Sequence, residues 1–127
     1  MEFNNTQSIY LQIAQIICEK ILRGVLKPEE RISSVRDLAV ELEVNPNTIL
    51  RTYEFLVSLD IISNKRGIGY FVTPDGYKKA TEYKKQNFLN TELPELFKTV
   101  ALLNLDFNEL KEKYTLYLAD LKNKTNE

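Results

Sequence analysis

Two helical patterns in this chain lie so close together that they leave little freedom in how the segment can fold. In SSVRDLAVEL, Val35, Leu38, Ala39 and Leu42 recur at helical spacing, and so do Ile49, Tyr53, Leu56 and Leu59 in the stretch that follows. Only Glu43 and Val44 separate the two. Ser34 and Asp37 have the spacing of a capping box at the first helix, with Asp in the place of the usual Glu, which predicts a helix over 34–42. Asn45 is a good N-cap for the second, and Pro46 suits the first helical position, where its missing N–H costs nothing. Upstream, Ile9, Ile13, Ile16, Ile17 and Ile21 step along a helix predicted over about 8–23, with Ser8 as its N-cap and Gly24 as the left-handed residue that ends it. An initial helix followed by two short ones across a tight turn makes a helix-turn-helix.

After Asp60 the period changes. IISNKRGIGYFV carries β-branched and aromatic residues at both ends, which predicts a hairpin over 61–72. Lys65 and Arg66 sit at its tip, and Gly67 and Gly69 permit the turn. Between the first two helices, VLKPEER reads as a turn around Pro28. Thr73 to Gly76 punctuate the exit, which places an expected boundary after residue 74. The fold class is therefore mainly α with a small β-hairpin: a winged helix-turn-helix over 1–74, then a short helical region over 75–127.

In that second region YKKATEYKKQNFLN reads as a connecting helix, and Pro94 fits the first turn of a helix capped by Thr91. Asp106 and Glu109 open a last helix in which Phe107, Leu110, Tyr114, Tyr117 and Leu121 form a heptad-like seam. With Phe97 and Val100 on the preceding helix, these residues are candidates for a homodimer interface; the alternative is that the seam packs within one subunit. A pocket at such an interface, lined by some of Phe97, Phe107, Tyr114 and Tyr117, stays open beside the reading of those rings as core. KNKTNE at the end is expected to fray.

Several function classes lose support. The chain has no histidine, so it lacks the commonest general base and metal ligand, and its one cysteine, Cys18, falls in an apolar helical pattern as a small core residue. We expect no enzyme activity, no metal and no cofactor. No apolar run is long enough to span a membrane, and MEFNNTQS has neither a basic n-region nor an apolar h-region after it, so a cytoplasmic location is expected. Net charge gives no hint of a polyanionic partner: 17 basic side chains face 18 acidic ones, so any positive footprint must be concentrated on one face.

Local chemistry does point to one. The N-terminal residues of the second helix of a helix-turn-helix enter the major groove. Asn45 and Asn47 can bond adenine, and Thr48 can bond a base or touch a thymine methyl. Arg51, one turn on, can reach a phosphate. Arg36 is a candidate for backbone or guanine contact, or pairs with an acid on its own helix. Lys65 and Arg66 would meet flanking phosphates or the minor groove. Each has an ordinary explanation as cap or solvated turn; their conjunction raises the DNA reading.

Three stretches carry a family likeness: IYLQIAQIICEKILRGVL, SSVRDLAVELEVNPNTILRTYEFL and RGIGYFV. Residues 8–73 resemble the DNA-binding domain of the GntR family of bacterial transcription regulators. VNPNT together with a tail of about 50 residues resembles its short YtrA-like branch, where a two-helix tail serves dimerisation. The resemblance implies double-stranded operator DNA as partner, a homodimer, and ABC-type transporter genes as a target class; it names no effector. It carries DNA contact onto Arg36, Asn45, Asn47, Thr48, Arg51, Arg66 and Gly67. The usual Gly and Leu-Pro-Ser ahead of the second helix are here matched to Glu30 and Ile32-Ser33-Ser34, a looser loop by expectation. Asp60 replaces a glycine, and Leu50 stands where a polar reader is common, facing a thymine methyl instead. The competing class is a winged-helix protein-interaction module.

Overall fold

The computed structural model describes residues 7–125. Six α-helices and one hairpin follow in the order α1 (Ile9–Leu22), α2 (Val35–Leu42), α3 (Pro46–Ser58), β1 (Ile62–Lys65), β2 (Gly69–Val72), α4 (Gly76–Asn87), α5 (Leu93–Leu102) and α6 (Phe107–Thr125). The expected fold class is observed: a mainly helical chain whose helix-turn-helix is followed by an antiparallel hairpin. The opening MEFNNT lies outside the described residues, and so do Asn126 and Glu127. Lys122–Thr125, expected to fray, continue α6. No helix among the described residues is long and apolar enough to cross a membrane.

The chain divides into two compact units between Gln86 and Asn87. In the first, α1 buries Ile13, Ala14, Ile17, Cys18 and Ile21, while Ile9 is exposed and Ile16 half-buried. The buried stripe is thus rotated from the expected one toward Ala14 and Cys18. At eight residues α2 is too short to hold its shape alone; burial of Leu38 and Ala39 supplies what propensity does not. Ile49, Tyr53 and Leu56 face inward from α3 as expected, and Thr52 joins them, fully buried. Its hydroxyl lies 2.9 Å from the Tyr10 carbonyl and 3.0 Å from the Thr48 carbonyl, so it joins α3 to the first turn of α1. Tyr53 donates from its phenol to the Ser33 carbonyl at 2.6 Å. Burial, reinforced by Tyr70 and Glu41 nearby, pushes that phenol well above the ordinary tyrosine range, so it stays a donor.

Four helices end in one motif. A left-handed residue (Gly24, Glu43, Asp60 or Asn104) follows each, and the next N–H bonds back to a carbonyl five residues earlier: Val25 to Lys20, Val44 to Ala39, Ile61 to Leu56, Leu105 to Val100. Glu43, with φ 56°, makes the whole turn of the helix-turn-helix from this motif. Asp60 takes the left-handed conformation its replacement of a glycine demands, with φ 61°.

The segment around Pro28 is more than a turn. Lys27 to Glu30 close a turn with Glu29 left-handed at φ 66°, one residue before the position matched to the family glycine, and Glu30 clamps it by accepting the Lys27 N–H at 2.7 Å. The chain then pairs with the free edge of β2: Arg31 bridges Phe71, Ile32 N–H bonds to Tyr70, and Val72 N–H bonds to Glu30. β2 is therefore central, with β1 on its other side in the register Ile62–Val72, Ser63–Phe71, Asn64–Tyr70, Lys65–Gly69. Ile32, Ile62 and Val72 face the core.

Thr73 anchors the exit by donating to the Asp60 carbonyl at 2.8 Å. Gly76 opens α4 where a Cβ would lie 2.6 Å from Val72 and 2.9 Å from the Ile61 carbonyl, so only glycine fits. Ala80 is fully buried in the same core, and Tyr83 packs against Phe55. Residues 76–86 thus pack with the winged helix.

In the second unit, Thr91 does not cap a helix. Phe88–Glu92 form a π-helical turn directly ahead of α5, and the Thr91 hydroxyl donates to the Asn87 carbonyl at 2.6 Å. Pro94 explains the turn. Its ring would clash with the Asn90 carbonyl in regular α geometry, and the wider π turn, closed by Leu93 N–H to the Phe88 carbonyl, relieves it. Asp106 caps α6 by accepting the Asn108 N–H at 2.9 Å.

Candidate nucleic-acid interface

The start of α3 forms as its cap residues dictate. Asn45 accepts the Asn47 N–H through Oδ1 at 2.8 Å, and Pro46 occupies the first turn. This bond commits the oxygen that Asn45 would need for two-point adenine contact. Asn47 has no side-chain hydrogen bond among the described residues and is exposed, so its amide keeps both its donor and its acceptor free. Thr48 is half-buried, and Leu50 points outward at 39% exposure.

Asn47, Thr48 and Arg51 line one open groove of about 330 Å³ together with Ser8, Ile9 and Tyr10 of α1. The Arg51 guanidinium lies over the Tyr10 ring, 3.9 Å from its centroid. Ser8, expected to cap α1 with its side chain, makes no such bond; its backbone carbonyl instead accepts the Leu11 and Gln12 N–H groups at 3.1 Å each, which leaves only the Ile9 and Tyr10 amides at the helix front without a bond to Ser8. The sequence singled out Ser8 only as a helix cap and Tyr10 not at all; the one available signal for either was that both open the helix preceding the helix-turn-helix.

Arg36 occupies the first turn of α2, behind Ser34, which accepts the Asp37 N–H at 3.1 Å. It is exposed and forms no ion pair: the two pairs among the described residues are Arg23–Glu19 and Lys98–Glu95. The alternative that Arg36 pairs with an acid on its own helix is therefore not what the structure contains. Arg51, Lys65 and Arg66 are equally free of carboxylates among the described residues. Arg36, Lys65 and Arg66 lie outside the groove of Arg51.

On the wing, Arg66 and Gly67 occupy the turn, closed by Ile68 N–H to the Lys65 carbonyl at 2.9 Å, with Gly67 at φ 77°. Lys65 folds back so that its ammonium sits 4.3 Å from the Phe71 centroid. Strand alternation puts Ser63, Lys65, Phe71 and Arg31 on the face opposite the core residues. Arg31 is a basic residue that sequence reasoning missed, because its pairing to β2 is not visible locally. A Cβ on Gly69 would meet its guanidinium at 2.8 Å, so the bare backbone there leaves it room.

The seam residues form a separate feature. α6 has no buried residue: Phe107, Tyr114, Tyr117 and Leu121 are exposed, and Leu110 is half-buried. Phe97 is exposed and lies 6.1 Å from Phe107, whereas Val100 is buried within its unit.

Residues 9–72 match the model of the family described as bacterial regulatory proteins, gntR family. The chain is 31% identical to the HTH-type transcriptional repressor YtrA of Bacillus subtilis over 114 residues, covering 90% of this chain and 87% of that one. It is 42% identical to the HTH-type regulator YhcF of the same organism over 71 residues, which span 56% of this chain and 59% of that protein. Among solved structures, a GntR-family transcriptional regulator from Bacteroides thetaiotaomicron superposes with a TM-score of 0.73 at 38% identity, covering 90% of this chain and 99% of that one.

Proposed function

The chain belongs to the GntR family of bacterial transcription regulators, and from that premise we propose that it is a homodimeric repressor reading a near-palindromic operator in the cytoplasm. Each subunit places the front of α3 in a major groove, with Asn47 and Thr48 on base edges and Leu50 against a thymine methyl. Asn45 holds the helix end in shape. Arg36 takes a base or a phosphate, and Arg51 a phosphate. Lys65, Arg66 and Gly67 bring the wing onto the flanking backbone. The observation that carries this reading is the shared groove of Asn47, Thr48 and Arg51, whose polar edges are spoken for by no carboxylate among the described residues.

Dimerisation is supported by α6. A 19-residue helix that buries none of its side chains keeps an apolar stripe in water, and each large side chain covered by a second copy gains about 1.5–3 kcal/mol. Phe107, Leu110, Tyr114, Tyr117 and Leu121 supply that stripe, joined by Phe97 and Val100 of α5. Residues 1–74 are then the reader and 75–127 the helical region that joins two readers. Joining them raises affinity through effective concentration, at half-site spacing of about one DNA turn. The similarity to a repressor, YtrA, supports the sign of regulation, and the resemblance to the short-tailed branch suggests ABC-type transporter genes as targets.

The test is a salt titration of binding to duplex DNA from the region upstream of the gene, with protection mapping of the bound site. Neutralisation of about six phosphates gives a log–log slope on the order of −5. A chain that binds no duplex even at low salt is the interaction module instead. Arg36→Ala separates two roles: loss of a base contact costs about 1–3 kcal/mol and relaxes one position, whereas loss of a phosphate contact weakens all sequences alike.

A further inference from the structure

We propose that Tyr10 is a positioning residue: its ring holds the Arg51 guanidinium flat and ready for a phosphate, and the stack behind it ties Arg51 to α4. This role rests on the DNA-binding reading above. Arg51 stands 3.9 Å over the Tyr10 ring. Tyr10 meets Phe55 edge-on at 6.1 Å, and Phe55 meets Tyr83 of α4 edge-on at 5.5 Å. Four side chains from three helices thus form one continuous stack.

Stacking differs from a salt bridge in what it leaves free. A carboxylate partner would occupy the in-plane N–H donors and cancel the charge. A ring beneath the plane does neither, so the donors at the guanidinium edge stay open to an anion. Arg51 has no ion pair among the described residues, and it opens into the groove it shares with Asn47 and Thr48. Tyr10 is itself held, because Thr52 donates to its backbone carbonyl at 2.9 Å and Phe55 supports its ring. An arginine fixed in advance loses less side-chain freedom when a phosphate arrives.

Tyr10→Leu keeps bulk and removes the π face, while Tyr10→Phe keeps both. On duplex DNA, Tyr10→Leu is expected to lower affinity about two- to fivefold, the range of an exposed cation–π contact, and Tyr10→Phe to bind as wild type. In an Arg51→Gln background, Tyr10→Leu should add nothing. Unchanged affinity in Tyr10→Leu, or an equal loss in the Arg51→Gln background, would overturn the role. A second readout needs no DNA: the Arg51 δ protons should be displaced upfield by the ring in wild type and Tyr10→Phe. Absence of that displacement in wild type removes the stack, even if Tyr10→Leu fails to fold. Displacement without duplex binding overturns the DNA-binding reading itself, and with it Tyr10's part in it.

Discussion

Replacing Thr52 with valine preserves the shape of a fully buried side chain and removes one proton donor. Thr52 is 0% exposed, and its single hydroxyl proton is shared between carbonyls at 2.9 Å (Tyr10) and 3.0 Å (Thr48). Both carbonyls sit in helices and also accept the backbone N–H four residues on, so neither is orphaned by the change. The cost is then the net value of one hydrogen bond, about 1 kcal/mol, rather than the ~1–3 kcal/mol of a buried unsatisfied group. For a chain of this length that corresponds to a melting shift of roughly 3–5 °C. Urea unfolding followed by circular dichroism measures it, with the slope unchanged and the midpoint lowered. Thr52→Ala should lose a further ~1 kcal/mol for the missing methyl. A valine variant as stable as wild type would refute the claim that this hydroxyl ties α3 to α1.

Glu29→Gly should stabilise the protein by about 1 kcal/mol, because a left-handed residue at φ 66° carries a penalty that glycine escapes; thermal melts report it. Burial pushes the Cys18 thiol from 9.0 up to about 12, only partly countered by Lys84, so iodoacetamide at pH 8 should label it in urea but not in the native protein. Because the unfolded chain loses that proton first, stability should be whole below about pH 9 and fall as pH rises toward 12, as pH-dependent denaturation will register. Leu110→Asp combined with Leu121→Asp should give monomers by light scattering that bind DNA weakly; a still-dimeric double variant places the interface elsewhere.

What could be read from the sequence depended on how far apart the interacting residues lie. The Asn45–Pro46 helix start, the Ser34–Asp37 cap and the Gly67 turn are encoded within four residues, and each appears where its local chemistry places it. Asp60 was legible because few residues other than glycine accept its backbone conformation. Thr91 misled, since a capping residue three positions before Pro94 suggests a helix start, yet a π turn satisfies the same proline without a break. Arg31 was hidden because it gains meaning only from Phe71 on a strand far along the chain. Thr52 carried no local signal, because its partner, Tyr10, is 42 residues away. At the candidate interface, the reading helix was visible residue by residue, but the ring beneath Arg51 and the fold-back of Lys65 onto Phe71 required the packed chain.

The central placement of β2 has a kinetic consequence. About forty residues separate Arg31 from Phe71, so closing that pair costs loop entropy that the helical turns and the hairpin do not incur. The sheet should therefore be completed after α2 and α3 have met, late in the folding reaction. During synthesis the stretch around Arg31 leaves the ribosome well before its mate exists and waits as an open edge, with Arg31, Glu29 and Glu30 as the charges that discourage a wrong neighbour until β2 emerges.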